Sequence, residues 1–371
     1  MRVAWFGHVA GRRGNGLITY SREVTAGLRH AGHNVVFFYH GGSESDPQSS
    51  NHIRLGALDL FDRTVISSMD APRIIAATLR ERRVDVAHAS LSWSLLDFAL
   101  PDVCHEAGAP IVCTLHFPYD LHATFMGNLS RTWYRMYTNI LGGYDRMIVF
   151  SHMQRRMLAN MGIADERIAV IPNGVDETVF SAGVSTFKET IEADTVVTFL
   201  GRLDPEKNVG VLCEVFQQID PGPRTKLVIV GTGSDAERLR RRYGGDQRII
   251  FTGVISDVSK RVAILRATDI FALPSKVEGL SLAMLEAMAC GCATVATDVG
   301  SDGEALRGAG IVVDPENLPS QLHVALDTLL TYPDFRRSLG ALARQRVEQN
   351  YSLAKNIHQV IHLYQTILQG A

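Results

Sequence analysis

No lysine occurs before residue 188, and all six lie from there onward. The first 180 residues balance 17 Arg against 17 Asp and Glu, so a basic membrane-docking face there would need local clustering. With a formal net charge of −2 over 371 residues, the chain gives no reason to expect nucleic acid as a partner. Cysteine is scarce as well. The five, at 104, 113, 213, 290 and 292, are an odd number and argue against a disulfide framework. Cys113 lies in an apolar run and Cys290 and Cys292 among small residues, which points to buried thiols in a reducing cytosol. Cys290-Gly291-Cys292 lacks a second pair of ligands, so no metal site is expected there. No run reaches the roughly 20 apolar residues of a membrane span. Met1 to Gly7 reads as a first strand and not a signal peptide, since it has no apolar core with a cleavage site. A cytoplasmic protein is expected, or one peripheral at the inner face of the membrane.

What is present is a globular composition, 46% hydrophobic and 20% charged, in a chain too long for one ordinary core. Short apolar runs alternate with amphipathic helical stretches, the pattern of a parallel α/β sheet. In the first half, strands are expected at 2–7, 34–39, 84–89, 111–115, 147–150 and 168–171. Helices are expected at 17–30, 72–82, 93–107, 130–142 and 155–161. The polar stretch 178–194 reads as a linker, and 41–50 as a polar loop. The pattern then restarts, with strands at 196–200, 226–230, 249–251, 270–273, 293–297 and 310–313. Expected domains are 1–180, 181–352 and a returning C-terminal helix, 353–371. Two doubly wound units side by side would hold a ligand cleft at the carboxyl ends of their strands.

Candidate chemistry collects at those strand ends. Glu278 and Glu286 are eight apart, with a loop turning into a helix between them. Gly279, Leu280 and Ser281 would be the first residues with unpaired backbone N–H groups, which together with the helix dipole favour an anion. An ordinary capped helix with a surface Glu has the same spacing. Arg202 and Lys207 follow the strand at 196–200 in a loop stiffened by Pro205, and both suit phosphate oxygens. Gly231 and Gly233 allow a tight turn or a close backbone approach to a nucleotide, although Ala236 breaks a dinucleotide fingerprint. Val254, after the strand at 249–251, is placed to meet a base edge. In the first half, the loop from Gly11 to Gly16 opens a helix and could turn backbone N–H groups toward a diphosphate or an acceptor. His116 stands at another strand end.

These motifs, with Pro172-Asn173-Gly174-Val175-Asp176, resemble family 4 of the retaining glycosyltransferases, in the same order and over nearly the whole chain. The resemblance implies a GT-B fold, two Rossmann-like domains facing across a cleft. It implies a hexosyltransferase acting on a nucleotide-diphosphate sugar, with front-face retention, no bound metal and no cofactor. Arg202 and Lys207 would neutralise the diphosphate, assisted by the amides of Gly279 to Ser281. Glu278 would contact the donor sugar and Glu286 the ribose. His116 would meet the sugar from the opposite domain, and Gly16, Gly231, Gly233 and Val254 would line the nucleotide. The family often has Phe-Gly where this chain has Leu280-Ser281, which changes the sugar side but keeps the Ser281 amide.

Two other readings stay open: a nucleotide-sugar 2-epimerase of the same architecture, and a non-catalytic nucleotide-sugar-binding module. The acceptor, a glycan or a lipid-linked sugar of the cell envelope, would fall to the variable stretches 51–71 and 117–137. The latter places Trp133, Tyr134 and Tyr137 beside Arg131 and Arg135, either as a buried aromatic face or as a peripheral membrane contact.

Overall fold

Strands covered by helices on both faces need apolar side chains on both faces, so they read as unbroken hydrophobic runs. That is how β6 (Val86–Leu91) and β7 (Ile111–Leu115) are built, buried at every position. The computed structural model describes residues 1–7, 16–40, 51–60, 64–91, 94, 96–116, 138, 140–219, 222 and 224–370. They fall into two compact units, Met1–Pro172 with Asn356–Ala371, and Asn173–Lys355.

The first unit holds a seven-stranded sheet of order β3-β2-β1-β6-β7-β8-β9, parallel throughout. Its other strands are β1 (Arg2–Phe6), β2 (Asn34–His40), β3 (His52–Leu55), β8 (Arg146–Val149) and β9 (Ile168–Val170). A separate antiparallel hairpin joins β4 (Ala57–Leu60) and β5 (Thr64–Ser67). Val3, Trp5, Tyr20, Val24 and Leu28 pack on one side with Val360, Tyr364 and Ile367 of the final helix, Leu353–Gln369. Three buried side chains of that size contribute about 1.5–3 kcal/mol each, which is enough to dock a helix from the far end of the chain.

The second unit is a six-stranded parallel sheet of order β12-β11-β10-β13-β14-β15. The strands are β10 (Thr195–Leu200), β11 (Thr225–Val230), β12 (Ile249–Gly253), β13 (Ile270–Leu273), β14 (Ala293–Thr297) and β15 (Ile311–Val313).

Three sequence expectations change. The stretch 178–194 is not a free linker but packs within the second unit. Arg266 donates to Ser181, Ser185 to the Ala263 carbonyl, and Lys188 pairs with Asp269 at 2.6 Å. The region 51–71, read only as variable, contains β3 to β5. The third strand is β6 at 86–91 and not 84–89; Asp85, just ahead of it, uses its side chain to accept the Arg2 N–H at 2.6 Å at the N-terminal end of the neighbouring β1. Most of the helix expected at 130–142, the Gly11–Asn15 part of the early loop, residues 41–50 and residues 117–137 lie outside the described residues.

Candidate functional site

In the second sheet the strand order reverses between β10 and β13, and ligands of doubly wound folds bind at the carboxyl ends of strands at such a reversal. The two loops that leave there carry Lys207 and Glu278. Lys207 closes a short turn, Pro205–Lys207, after β10. Its Nζ donates to Glu278 Oε1 at 2.6 Å, and Ser275 Oγ donates to the same oxygen at 2.7 Å. The side chains of Lys207 and Glu278 are only 15% and 10% exposed, so this is a largely desolvated ion pair.

Downstream, Ser281 caps the helix Leu282–Ala289 by accepting the Met284 N–H. The Ser281 amide, expected to face a phosphate, donates instead to Asp302 Oδ1 at 2.8 Å. Asp302 is fully buried, and its Oδ2 has no hydrogen-bond partner among the described residues. Burial, then the charge of Glu278, pushes this carboxyl well above the usual carboxylate range; the Ser281 N–H and Lys207 act the other way. The loop reaches this position because Gly300 has a φ of +55° and lies against the Glu278 carbonyl, 2.1 Å from where a Cβ would stand. Asp302 escaped notice because a lone acid after a strand carries no signal of its burial. Its place just beyond β14 is the clue that was available.

Glu286 is 5% exposed on that helix, with Arg261 3.6 Å away and lying over the Phe180 ring. Arg261 and Phe180 were not anticipated either. Arg202 lies in the same loop as Lys207, two residues after β10. Its half-exposed guanidinium is paired with Asp204 and, at 3.1 Å, with Glu206. Gly231 and Gly233 serve first to bring two loops together. A Cβ on Gly231 would stand 1.8 Å from the Gly201 carbonyl, and one on Gly233 2.5 Å from Leu203. Val254 follows β12 and is 59% exposed, while Leu280 is buried and its carbonyl accepts from Asn173 Nδ2 at 3.1 Å. Gly279 also sits in this loop, its carbonyl accepting the Ser301 N–H at 2.6 Å.

In the first unit, Gly16 opens the helix Gly16–His30 and is exposed. His116 directly follows β7, with Nε2 2.9 Å from Ser90 Oγ. Beneath it runs a buried polar chain. The Tyr20 hydroxyl meets Thr114 Oγ1 at 3.3 Å, Thr114 meets His88 Nε2 at 2.7 Å, and His88 Nδ1 meets the Tyr364 hydroxyl. Burial holds His88 neutral, its pKa lowered to about 3, and lifts Tyr20 to about 12. All five cysteines are buried, and burial raises every thiol pKa. Among the described residues no group of three His, Cys, Asp or Glu is set to hold a metal, and no helix is long and apolar enough to cross a membrane.

Comparison with known proteins adds a lineage to this geometry. Residues 194–332 match the family described as "Glycosyl transferases group 1", and residues 14–179 the one described as "Glycosyltransferase Family 4". A phosphatidyl-myo-inositol mannosyltransferase of Mycobacterium tuberculosis is 30% identical over 274 residues, 70% of this chain and 68% of the relative. An uncharacterized glycosyltransferase of Methanocaldococcus jannaschii is 27% identical over 232 residues, 60% of this chain and 59% of that protein, so the chain spans under two thirds of that relative's length. Among solved structures, sucrose-phosphate synthase from Thermosynechococcus elongatus superposes with a TM-score of 0.79 at 21% identity, covering 100% of both chains. Anabaena HepE in complex with UDP gives 0.80 at 17% identity, covering 99% of this chain and 100% of that one.

Proposed function

The chain belongs to glycosyltransferase family 4 and has the GT-B fold, and from that premise we propose that it moves a hexosyl unit from a nucleotide-sugar donor to an acceptor hydroxyl with retention of configuration. The observation that carries the reading is the buried Lys207–Glu278–Ser275 cluster at the β10/β13 reversal. An ammonium has three hydrogens. Glu278 takes one, and among the described residues no other acceptor is bound, so Lys207 can hold Glu278 and a diphosphate oxygen together. Arg202, whose guanidinium is half exposed, joins by exchanging Asp204 and Glu206 for phosphate, while Asp204 keeps its hydrogen bonds from Ser234. Two cations stabilise the negative charge that grows on the leaving diphosphate, the role a metal fills elsewhere.

With the Ser281 amide engaged by Asp302, the N–H groups of Gly279 and Leu280 remain for the donor. Glu278 orients the sugar, Glu286 holds the ribose hydroxyls, and His116 binds a sugar hydroxyl. The acceptor attacks on the face the diphosphate leaves, and the departing phosphate oxygen takes its proton. No side chain then needs to serve as nucleophile. The M. tuberculosis relative is by name a mannosyltransferase of a phosphatidyl-myo-inositol, which supports a lipid-linked or glycan acceptor of the cell envelope and a peripheral membrane contact. HepE in complex with UDP supports a uridine diphosphate sugar as the first donor to try.

A thermal-shift panel of UDP-, GDP- and ADP-sugars identifies the donor, since a ligand of the folded state raises the melting temperature. Transfer to a lipid or glycan acceptor, with the product anomer read by NMR, then tests the reaction. Epimerised sugar formed with no acceptor present refutes the reading, as does tight donor binding with no transfer to any acceptor or to water.

A further inference from the structure

The loop that follows β14 lies along the loop at 278–281. Thr297 Oγ1 donates to the Ser275 carbonyl at 2.5 Å and the Ser301 N–H to the Gly279 carbonyl at 2.6 Å, while Asp302 Oδ1 accepts the Ser281 N–H at 2.8 Å. A Cβ on Gly300 would stand 2.1 Å from the Glu278 carbonyl oxygen and 2.6 Å from that of Gly279, so both carbonyls face this second loop. A trans peptide sets its N–H opposite its C=O, and no peptide bond among the described residues is cis. The N–H groups of Gly279 and Leu280, which share peptides with those two carbonyls, therefore both point away from residues 300–301. Neither is bonded among the described residues. In the next peptide the direction reverses: the Leu280 carbonyl accepts from Asn173 Nδ2 at 3.1 Å, and the Ser281 N–H is held by Asp302.

Asp302 is fully buried, and the Ser281 N–H is the one hydrogen-bond donor its carboxyl meets among the described residues. The ionisable groups that feel it are Glu278, Lys207 and Tyr351, and Lys207 gives its bond to Glu278. We propose that Asp302 is a positioning residue for the donor site: by holding the Ser281 N–H it fixes the reversal at Leu280 that leaves the Gly279 and Leu280 N–H groups aimed together at one anionic group of the donor diphosphate. A carboxyl buried without a cation of its own is neutral, so it acts as a plain hydrogen-bond acceptor and an amide oxygen can replace it. That the anion is a donor diphosphate rests on the proposed transferase reading; the anchoring of Ser281 does not.

Amide hydrogen exchange, read by NMR on serine-labelled protein, tests the anchor with no ligand present. The Ser281 N–H should be protected in the unaltered protein and in Asp302→Asn, and should exchange about tenfold faster or more in Asp302→Ala. Calorimetric titration with UDP and with inorganic pyrophosphate tests the consequence. Asp302→Ala should weaken both about tenfold at unchanged stoichiometry, since two hydrogen bonds to an anion lose their alignment, while Asp302→Asn should stay within about threefold. If Asp302→Ala does not fold, Asp302→Leu fills the space without an acceptor and gives the same comparison. A rapidly exchanging Ser281 in the unaltered protein, or unchanged exchange in Asp302→Ala, overturns the anchor. An Asp302→Ala protein that binds both ligands as tightly as the unaltered one, or an Asp302→Asn protein as weak as Asp302→Ala, overturns the positioning role. Binding of neither ligand to the unaltered protein, with the exchange pattern as expected, refutes the diphosphate role and the transferase reading while the anchor stands, so the two failures are told apart.

Discussion

Replacing Lys207 by Met removes the cation from a pair whose side chains are 15% and 10% exposed. Removing one member of a buried pair costs about 3–5 kcal/mol, because the other charge stays buried without compensation. Here Ser275 still donates to Glu278 at 2.7 Å, and the residual exposure admits some water, so about 2–3 kcal/mol is expected. The second unit has about 180 residues, a size at which each kcal/mol moves the midpoint by roughly 2–4 °C. Calorimetry should therefore show that unit's transition falling by about 4–12 °C in Lys207→Met.

The pairing argument makes a stricter demand on the double variant. Lys207→Met with Glu278→Gln removes both charges and keeps an acceptor for Ser275, so about half or more of the lost stability should return, although transfer stays abolished. A fall below about 2 °C in Lys207→Met, or a double variant that is simply additive, refutes the view that these charges are desolvated and mutually dependent.

Glu286→Ala should weaken binding of the nucleoside diphosphate roughly 10- to 50-fold by calorimetric titration, while Glu278→Gln should cost mainly kcat, about 100-fold or more; equal, small effects refute the division of roles. Asp302 has a carboxyl raised above its unfolded value, so its contribution is fully present below the unfolded pKa and is lost as pH rises through the folded one. The melting temperature of Asp302→Asn relative to the unaltered protein should accordingly climb as pH rises above about 4, and a difference flat in pH refutes the assignment. His88 is the opposite case: its pKa of about 3 lies below the unfolded value, so its contribution is present above pH about 6.5 and fades as pH falls toward 3. His88→Gln should flatten that acid limb of the stability curve, and an unchanged limb refutes a buried neutral ring.

Fold class and many of the candidate residues were legible because parallel strands are apolar on both faces, which leaves polar chemistry to their ends. Lys207, Glu278 and His116 stand out on that ground alone. What was hidden depends on tertiary neighbours. Asp302 looks like any loop acid until Gly300 lays its loop on the Glu278 carbonyl. Nor could the sequence tell that Arg202 is paired with Asp204 and Glu206. The polarity of 178–194 suggested a linker, yet Arg266, Ala263 and Asp269 satisfy its polar groups within the second unit. Strands as short as β3 to β5, four residues each, offer too few positions for a period of two to show.

The two units also differ in the kind of polarity they bury at their strand ends. The second gathers full charges, Lys207 against Glu278, where a hydrogen bond to an ionised partner is worth roughly twice a neutral one. The first gathers hydroxyls, Ser21 and Ser90, with neutral His88 and Tyr364 in the same unit. A diphosphate needs charge, because its stabilisation must grow as the sugar bond breaks. A neutral hydroxyl needs only a hydrogen-bond partner in the right place, and a full charge there would be costly to desolvate. The charged cluster around Glu278 is thus the form expected of a diphosphate site, and the buried hydroxyls of the first unit are the form expected where no charge has to be met.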